Sequence, residues 1–288
     1  MPARLPPARP ETKKGRAGMP TEPNANVVPD YASLMRLDGQ VHVVLGAGQG
    51  IGHQTAHALS AFGATVVCVD LDADRADQVA SEVGGRPLQG EITDRESMSS
   101  IFSTVASDYG RLDGVADIVG LARYKPMVEL TDEDWGFHYD IVLKHAVLAL
   151  ENSARLWRQF GTGGSIAFVA SVAGLQSSPN LAAYGAMKAA LMSLVRTAAV
   201  ELGPIRGRVN AVAPGLVRTP RAQANPKWTQ DLLDANLAKT PTGRLSYPAD
   251  VASALLFLLS PLSSQITGTS LVVDGGNMIL FNVDTPTP

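Results

Sequence analysis

The stretch "VVLGAGQGIGHQTAHAL", residues 43–59, places a short apolar run directly before a glycine-rich turn and a helical segment. Glycines in such a turn permit positive φ and let the backbone approach a phosphate group closely. The free N–H groups at the start of the following helix can then bind the phosphate oxygens. The order of strand, glycine turn and helix therefore predicts a unit that binds the pyrophosphate of a dinucleotide.

The rest of the chain repeats this alternation of short apolar runs and helical segments. Because parallel strands are connected through helices and are buried on both faces, continuous apolar runs separated by helices indicate a parallel sheet. We predict an α/β fold, a doubly wound seven-stranded parallel sheet with helices on both faces. The predicted strands are residues 41–45, 65–70, 86–90, 114–119, 165–170, 208–213 and 270–274.

The chain divides into two predicted parts. Residues 1–37 begin with a segment rich in proline and arginine, and we assign them to a flexible tail in which Met19 could be an alternative start. No linker-like interruption divides the remainder, so we expect residues 38–288 to form one domain.

Composition argues against several classes of function. The formal net charge of −3 gives no broad basic field, so we expect no nucleic-acid partner. No apolar stretch reaches the length of a membrane-spanning helix, so we expect a soluble protein without a membrane partner. The single cysteine, Cys68, lies in a predicted strand and is expected to be a buried core residue. One lone cysteine fits a reducing compartment, and we expect the cytoplasm.

Asp70 ends the second predicted strand, 20 residues after Gly50. An acid at this position can accept hydrogen bonds from both ribose hydroxyls of NAD and would repel the 2′-phosphate of NADP. We therefore expect NAD rather than NADP as the cofactor.

A tyrosine and a lysine stand four residues apart in "NLAAYGAMKAA", residues 180–190. Residues at this spacing share one face of a helix, so Tyr184 and Lys188 can present their polar ends to one point. A nearby ammonium stabilises a phenolate and lowers the pKa of the tyrosine. Ser171, at the end of the fifth predicted strand, could hold a substrate oxygen while the tyrosine transfers a proton. Taken alone, the pair would more often be an aromatic residue packed beside a snorkelling lysine.

His53 and His57 are also four residues apart, on the helix that follows the glycine turn. This spacing can chelate a metal ion, but no third ligand of the right kind lies nearby in the sequence. We therefore assign no metal site and interpret both histidines as packed or solvated residues.

Together these motifs resemble the short-chain dehydrogenase/reductase family over residues 38–276. The matching segments are G-x-x-x-G-I-G at 46–52, Ser171, Y-x-x-x-K at 184–188, "VNAVAPGLVRTP" at 209–220 and "ITGTSLVVDGG" at 266–276. The resemblance implies a Rossmann-like fold and an NAD-dependent oxidoreductase that interconverts a secondary alcohol and a ketone. It also implies a homodimer or homotetramer.

The resemblance further implies a role for each site residue. Tyr184 would be the general acid/base, Lys188 would lower its pKa and bind the nicotinamide ribose, and Ser171 would position the substrate oxygen. The implied cofactor-binding residues are Gly46, Gln49, Gly50, Ile51, Gly52, Asp70, Leu71, Glu91, Ile92, Tyr184, Lys188, Pro214, Gly215 and Val217.

Two positions depart from the family's pattern. The residues "DIVG", 117–120, stand where the family has N-N-A-G, and Val142 stands where it has an asparagine that helps to hold the water linking the lysine to solvent. A valine cannot hold that water. His138 and His145 lie one turn to either side and could carry protons instead, although packing is the simpler interpretation. A non-catalytic nucleotide-binding protein therefore stays as the alternative.

The substrate is the least constrained part of the prediction. We expect residues 218–246 to form a lid whose helical part carries Trp228, Leu232 and Leu233, which would suit an apolar or cyclic secondary alcohol. Arg123 could instead pair with an acidic substrate. The other candidate pocket residues are Tyr124, Gln176 and Asn180.

Overall fold

The computed structural model describes residues 27–279. Its strands are β1 Val41–Leu45, β2 Thr65–Asp70, β3 Arg86–Gln89, β4 Gly114–Asp117, β5 Gly164–Val169, β6 Gly207–Pro214 and β7 Ser270–Val273. They form one seven-stranded sheet in the order β3-β2-β1-β4-β5-β6-β7, and every pair of neighbours is parallel. The predicted fold class is confirmed, and each predicted strand agrees with an observed one to within two residues.

Helices cover both faces of this sheet. They are α1 Gly50–Ala61, α2 Ala73–Val83, α3 Arg95–Tyr109, α4 Asp132–His138, α5 His145–Phe160, α6 Ala182–Leu202, α7 Pro220–Gln223, α8 Gln230–Leu237 and α9 Pro248–Leu259. A π-helical segment, Tyr139–Lys144, joins α4 to α5. Within the described range, no helix combines the length and the apolar character needed to cross a membrane.

Two hydrophobic cores lie on opposite faces of the sheet. One contains Phe102 of α3, Trp157 of α5 and Leu191 of α6, and the other contains Leu59 of α1 and Leu255 of α9. Successive side chains of a strand point to opposite faces, so the strands β1, β2, β4, β5 and β6 contribute to both cores. This two-sided burial explains why the strands are continuous apolar runs in the sequence.

β1 contains one buried polar residue among its apolar residues. His42 is fully buried, its Nε2 lies 3.0 Å from Oε1 of Gln40, and its Nδ1 has no hydrogen-bond partner within residues 27–279. A Cβ on the facing Gly114 would lie 2.2 Å from that Nδ1, so glycine makes room for the ring. Cys68 of β2 is fully buried, as expected.

The fold begins earlier in the chain than the sequence indicated. Residues 33–37 were assigned to the tail, but Leu37 is fully buried in the core of α1 and α9, and Met35 packs against the same core. The Leu37 N–H also bonds to the carbonyl of Phe62 at 2.7 Å. A single leucine between polar residues has no periodicity, so only the three-dimensional contact reveals its role. The rest of the assigned tail up to residue 26, and residues 280–288, lie outside the described residues.

We expect the substitution His42→Val to remove an acid-labile element from the core. Burial lowers the pKa of His42 from 6.5 to about 4. The unfolded chain therefore binds a proton at higher pH than the folded chain, and the stability from this residue is present above pH 6.5 and lost as the pH falls toward 4. By pH 5 the loss should reach about 2 kcal/mol.

Urea unfolding of both proteins at pH 7 and pH 5 measures this difference. The free energy of unfolding should fall less for His42→Val than for the wild type. An equal fall in both proteins would show that His42 is not an acid-labile group.

Candidate active site

The glycine loop lies at the carboxyl end of β1 and leads directly into α1. Gly46 and Gly50 have positive φ, +83° and +58°, a conformation that side chains with a Cβ rarely adopt. A Cβ on Gly52 would lie 1.9 Å from the carbonyl oxygen of Gly46, so glycine alone lets the first turn of α1 pack under the loop. The predicted phosphate-loop geometry is therefore present.

An open cleft of about 270 Å³ lies above the loop, at the carboxyl ends of the central strands. The predicted cofactor-binding residues that line it are Gly46, Gln49, Gly50, Ile51, Asp70, Leu71, Glu91 and Ile92. The other predicted cofactor-binding residues do not line it: Gly52 lies in α1, Pro214 in β6, Gly215 and Val217 just after β6, and Tyr184 and Lys188 in α6. The lining also contains residues that were not assigned: Gly90, Ile118, Val119, Gly120, Leu121, Ile141, Thr219 and Arg221.

The carboxylate of Asp70 is held at the edge of the cleft by backbone donors. Its Oδ2 accepts from the N–H of Gly48 at 2.8 Å, and its Oδ1 accepts from the N–H of Asp72 at 3.1 Å. A Cβ on Gly48 would lie 2.6 Å from the Cβ of Arg75, so this glycine leaves room for α2 to approach the loop. The loop and α2 thus fix the position of the acid.

Two arginines meet at the same loop. With its amide oxygen facing them, Gln49 accepts hydrogen bonds from Nη1 of Arg75 at 3.0 Å and from Nη2 of Arg221 at 3.1 Å. Arg75 belongs to the first turn of α2, and Arg221 belongs to α7 in the predicted lid. The carboxylates of Asp70 and Glu91 and the guanidinium of Arg221 therefore line the cleft, and Arg75 is joined to it through Gln49. These residues lie too far apart in the sequence to reveal the cluster.

α6 carries Tyr184 and Lys188 to the carboxyl end of β5. Lys188 is 1 % exposed, and its Nζ donates to the carbonyl of Val169 at 2.6 Å. Burial lowers the pKa of Lys188 to about 8, while the charge of Asp117 acts to raise it. The Oγ of Ser171 accepts from the N–H of Ala173 at 3.1 Å. The structure thus brings the three predicted catalytic residues together at the carboxyl end of β5.

The expected effect of Lys188 on the tyrosine is not observed in this arrangement. Burial raises the pKa of Tyr184 to about 12, and a hydrogen bond with Ser171 opposes that rise. The Nζ of Lys188 lies 5.7 Å from the centroid of the Tyr184 ring, and its hydrogen bond goes to Val169. Loss of water around the phenol therefore outweighs any stabilisation of the phenolate by the ammonium.

Val142 lies in the π-helical segment that packs against α6, and it is fully buried. Of the two histidines proposed to replace the missing polar group, His138 is held in place at both ring nitrogens. Its Nδ1 lies 2.7 Å from the carbonyl oxygen of Asp134, and its Nε2 accepts from the N–H of Arg123 at 3.1 Å. A carbonyl only accepts and an N–H only donates, so His138 is a neutral imidazole with a structural role.

His145 forms a buried pair with Asp117. Its Nδ1 lies 2.8 Å from Oδ2 of Asp117, and its Nε2 lies 3.1 Å from the carbonyl oxygen of Ile141. The Nε2–H donates to the carbonyl, and one proton shared between Nδ1 and the carboxyl completes the second hydrogen bond. The side chains are 1 % and 0 % exposed, so the pair is shielded from water. The aspartate that stands where the family has an asparagine therefore has a hydrogen-bonded partner inside the fold.

The lid differs in detail from the prediction. Trp228 precedes α8 instead of lying within it, whereas Leu232 and Leu233 do belong to α8. Within the described chain α8 buries none of its residues, and Leu232 is 39 % exposed. Trp228 lies outside α8 because the helix begins after Thr229. The hydroxyl of Thr229 caps the helix by accepting from the N–H of Leu232.

The candidate pocket residues lie in loops around this site. The guanidinium of Arg123 lies 3.5 Å from the centroid of the Phe137 ring. The amide of Gln176 donates to the carbonyl of Met278 at 2.9 Å. Asn180 has a positive φ of 65°, its carbonyl accepts from the N–H of Lys125, and Tyr124 is exposed.

Comparison with known proteins gives consistent matches over most of the chain. Residues 46–277 match a protein-family model described as "Enoyl-(Acyl carrier protein) reductase". The chain is 33 % identical to a 3-oxoacyl-[acyl-carrier-protein] reductase of Thermotoga maritima, over 85 % of this chain and 100 % of that protein. It is 37 % identical to the cis-4-hydroxycyclohexanecarboxylate dehydrogenase of Sinomonas cyclohexanicum, over 82 % of this chain and 96 % of that one.

Solved structures agree with these matches. One is a 7 alpha-hydroxysteroid dehydrogenase complexed with NADH and 7-oxo glycochenodeoxycholic acid. It is 32 % identical with a TM-score of 0.81, and the alignment covers 85 % of this chain and 96 % of that one.

We expect the substitution Asp117→Asn to lower the pKa of Lys188 further. The amide keeps the size of the carboxylate but removes the charge that favours the ammonium form. The midpoint of the Lys188 titration should move to lower pH by at least about half a pH unit. NMR titration of the Lys188 side-chain carbons measures it, with Asp132→Asn, an exposed acid of α4, as the control. An unchanged midpoint in Asp117→Asn would show that Asp117 does not stabilise the ammonium.

Proposed function

The chain belongs to the short-chain dehydrogenase/reductase family, and we propose that it is an NAD-dependent oxidoreductase that interconverts a secondary alcohol and a ketone. The observation that carries the proposal is the meeting of Ser171, Tyr184 and Lys188 at the sheet edge that also carries the glycine loop. The threitol, cyclohexanecarboxylate and cyclopentanol relatives are named as dehydrogenases, which supports chemistry at a CH–OH group.

Three features of the cleft support the binding of a dinucleotide. A Cβ on Gly46 would lie 2.8 Å from a methyl carbon of Val119, so glycine keeps the cradle open. Within the described residues no side chain caps the N-terminus of α1, which leaves its first N–H groups available for a pyrophosphate. Arg221 adds a positive charge from the lid. These features support binding of the pyrophosphate between the loop and α7.

The other cofactor contacts are proposals drawn from the family. Asp70 would accept hydrogen bonds from the adenosine ribose, and Lys188 would bind the nicotinamide ribose. Glu91 and Ile92 would lie near the adenine, Leu71 would also contact the cofactor, and Pro214, Gly215 and Val217 would lie by the nicotinamide.

When bound, NAD would accept the hydride that leaves the alcohol carbon. Tyr184 would take the proton of the alcohol hydroxyl, and Ser171 would hold the substrate oxygen by a hydrogen bond. The raised pKa of Tyr184 makes its neutral form the resting one, so the phenol is ready to donate in the direction of ketone reduction. Lys188 stays charged at neutral pH, since its pKa of about 8 is still above 7. Its charge would favour the phenolate needed for alcohol oxidation.

We propose an apolar or cyclic secondary alcohol as the substrate class. Two relatives are named for cyclic alcohols, cyclopentanol and cis-4-hydroxycyclohexanecarboxylate. The exposed Leu232 of α8 could cover such a ring when the lid closes. Arg123 lies in the loop that leads to α4, and it would be the partner of a substrate carboxylate.

We also propose that the protein works as a homodimer or homotetramer in the cytoplasm. β7 is an end strand of the sheet, and its Leu271 and Val272 are each 38 % exposed. An apolar surface on an end strand is costly in water and is well suited to a contact between subunits.

The substitution Tyr184→Phe should lower turnover by about a hundredfold or more, because the proton acceptor is lost. The assay follows NADH absorbance for a panel of aliphatic, cyclic and steroid-like secondary alcohols. Tyr109→Phe, on the partly buried tyrosine at the end of α3, is the control and should retain activity. Turnover that survives Tyr184→Phe would remove Tyr184 from the mechanism. No turnover in folded wild-type protein that binds NAD would favour the non-catalytic alternative.

The substitution Asp70→Ser should relax the choice of cofactor. It removes the charge that repels a 2′-phosphate, and Arg75 then remains to pair with that group. We expect kcat/KM for NADP to rise at least tenfold, about 1.4 kcal/mol, and kcat/KM for NAD to fall. The matched control is Asp74→Ser, an acid in the first turn of α2. Unchanged preference in Asp70→Ser would show that another residue selects the cofactor.

A further inference from the structure

A cluster of two histidines and a glutamate lies on the outside of the fold, where α1 packs beside α2. The Nε2 atoms of His53 and His57 lie 2.6 Å and 2.9 Å from the same carboxylate oxygen, Oε2 of Glu82. The two imidazole rings have centroids 4.6 Å apart. All three potential ligand atoms lie within 4.8 Å of one another. Sequence reasoning found no third ligand because Glu82 comes from the next helix.

The geometry is close to that of a metal site. Zinc binds imidazole nitrogen at about 2.0–2.1 Å and carboxylate oxygen at about 2.0–2.2 Å, so tetrahedral ligand atoms stand about 3.3 Å apart. The observed distances from Glu82 to the two rings would widen by less than about 1 Å to admit an ion. The i, i+4 spacing on α1 already directs both Nε2 atoms to one point.

The environment of the carboxylate also suits a ligand. The Oε1 of Glu82 accepts from Nε2 of Gln78 at 2.9 Å, a contact that orients the carboxylate toward the histidines. The side chains of His53, His57 and Glu82 are 30 %, 41 % and 34 % exposed, which lets an ion enter from solvent.

We propose that His53, His57 and Glu82 form a binding site for a divalent transition-metal ion of the zinc class. Two imidazoles and one carboxylate favour Zn²⁺, Ni²⁺ or Co²⁺ over Mg²⁺ and Ca²⁺, which prefer oxygen ligands. Both rings bind through Nε2 with the remaining proton on Nδ1, and water completes the coordination.

The position of the site gives the ion a structural effect. α1 begins at the glycine loop, and α2 follows Asp70 at the end of β2. A metal bound between them ties these two helices together on the side of the sheet that carries both elements. Because the ion binds the folded chain and the ligand set is assembled only on folding, it stabilises the fold.

The histidine content of the chain makes the site easy to isolate. The protein has 5 histidines, and the other three, His42, His138 and His145, are 0 %, 0 % and 1 % exposed. Histidine-dependent binding of an added ion to the folded protein therefore reports on His53 and His57.

The experiment titrates ZnCl₂ into chelator-treated, tag-free protein by isothermal calorimetry, without cofactor or substrate. We expect one ion per chain in the wild type and at least a tenfold loss of affinity in both His57→Gln and Glu82→Gln. Asp77→Asn, an exposed acid of α2 outside the cluster, is the matched control and should bind as the wild type does. Circular dichroism verifies that each variant is folded.

Two further readouts distinguish the site from loose surface binding. At 100 times the dissociation constant of the wild type, Zn²⁺ should raise the Tm of the wild type by about 5 °C and that of Glu82→Gln by about half as much or less. Co²⁺ should give the visible absorption of a low-coordinate ion only when both histidines are present. Absence of binding at millimolar Zn²⁺, or equal affinity in the wild type and both cluster variants, would overturn the proposal. None of these readouts requires the proposed dehydrogenase activity.

Discussion

The ammonium of Lys188 is buried against the sheet, and the groups around it make up for the water that it loses. Removing a charge from water is costly unless hydrogen bonds or an opposite charge replace the hydration. Here the carbonyl of Val169 accepts a hydrogen bond at 2.6 Å, and the negative charge of Asp117 favours the charged form. Gly120 leaves room for the ammonium, because a Cβ there would lie 2.8 Å from Nζ. Residues at the carboxyl ends of β4 and β5 therefore surround the side chain of Lys188.

This constraint connects the two departures from the family's pattern. Asp117 brings a negative charge into the interior, and His145 pairs with it at 2.8 Å. The same histidine contacts the carbonyl of Ile141, next to Val142 in the π-helical segment. Burying one partner without the other would leave an uncompensated charge, so Asp117 and His145 are interdependent. Val142 therefore lies about one turn from the polar network of Asp117 and His145.

The part of the molecule that we propose binds the cofactor is organised around α1 and α2. The glycine loop gives α1 its start and positions the N–H of Gly48 on Asp70, while Arg75 of α2 returns to the same loop through Gln49. On the outer side, His53 and Glu82 join the two helices again. A single helix pair thus carries the contacts proposed for the ribose and the pyrophosphate and the ligands proposed for a metal ion.

The sequence by itself determined the fold class, the strand positions and the loop. Buried parallel strands are continuous apolar runs, and a close approach of a phosphate to the backbone requires glycine. The strands and the loop can therefore be recognised from short stretches of sequence. It also located Ser171, Tyr184 and Lys188, because helical spacing and a strand end are local properties. Only the tertiary structure decided which distant residues meet: Asp117 with His145, Arg221 with Gln49, Glu82 with His53, and Leu37 with the core. It also reversed the expected pKa shift of Tyr184, because desolvation depends on all the surrounding elements and not on the spacing of two residues along one helix.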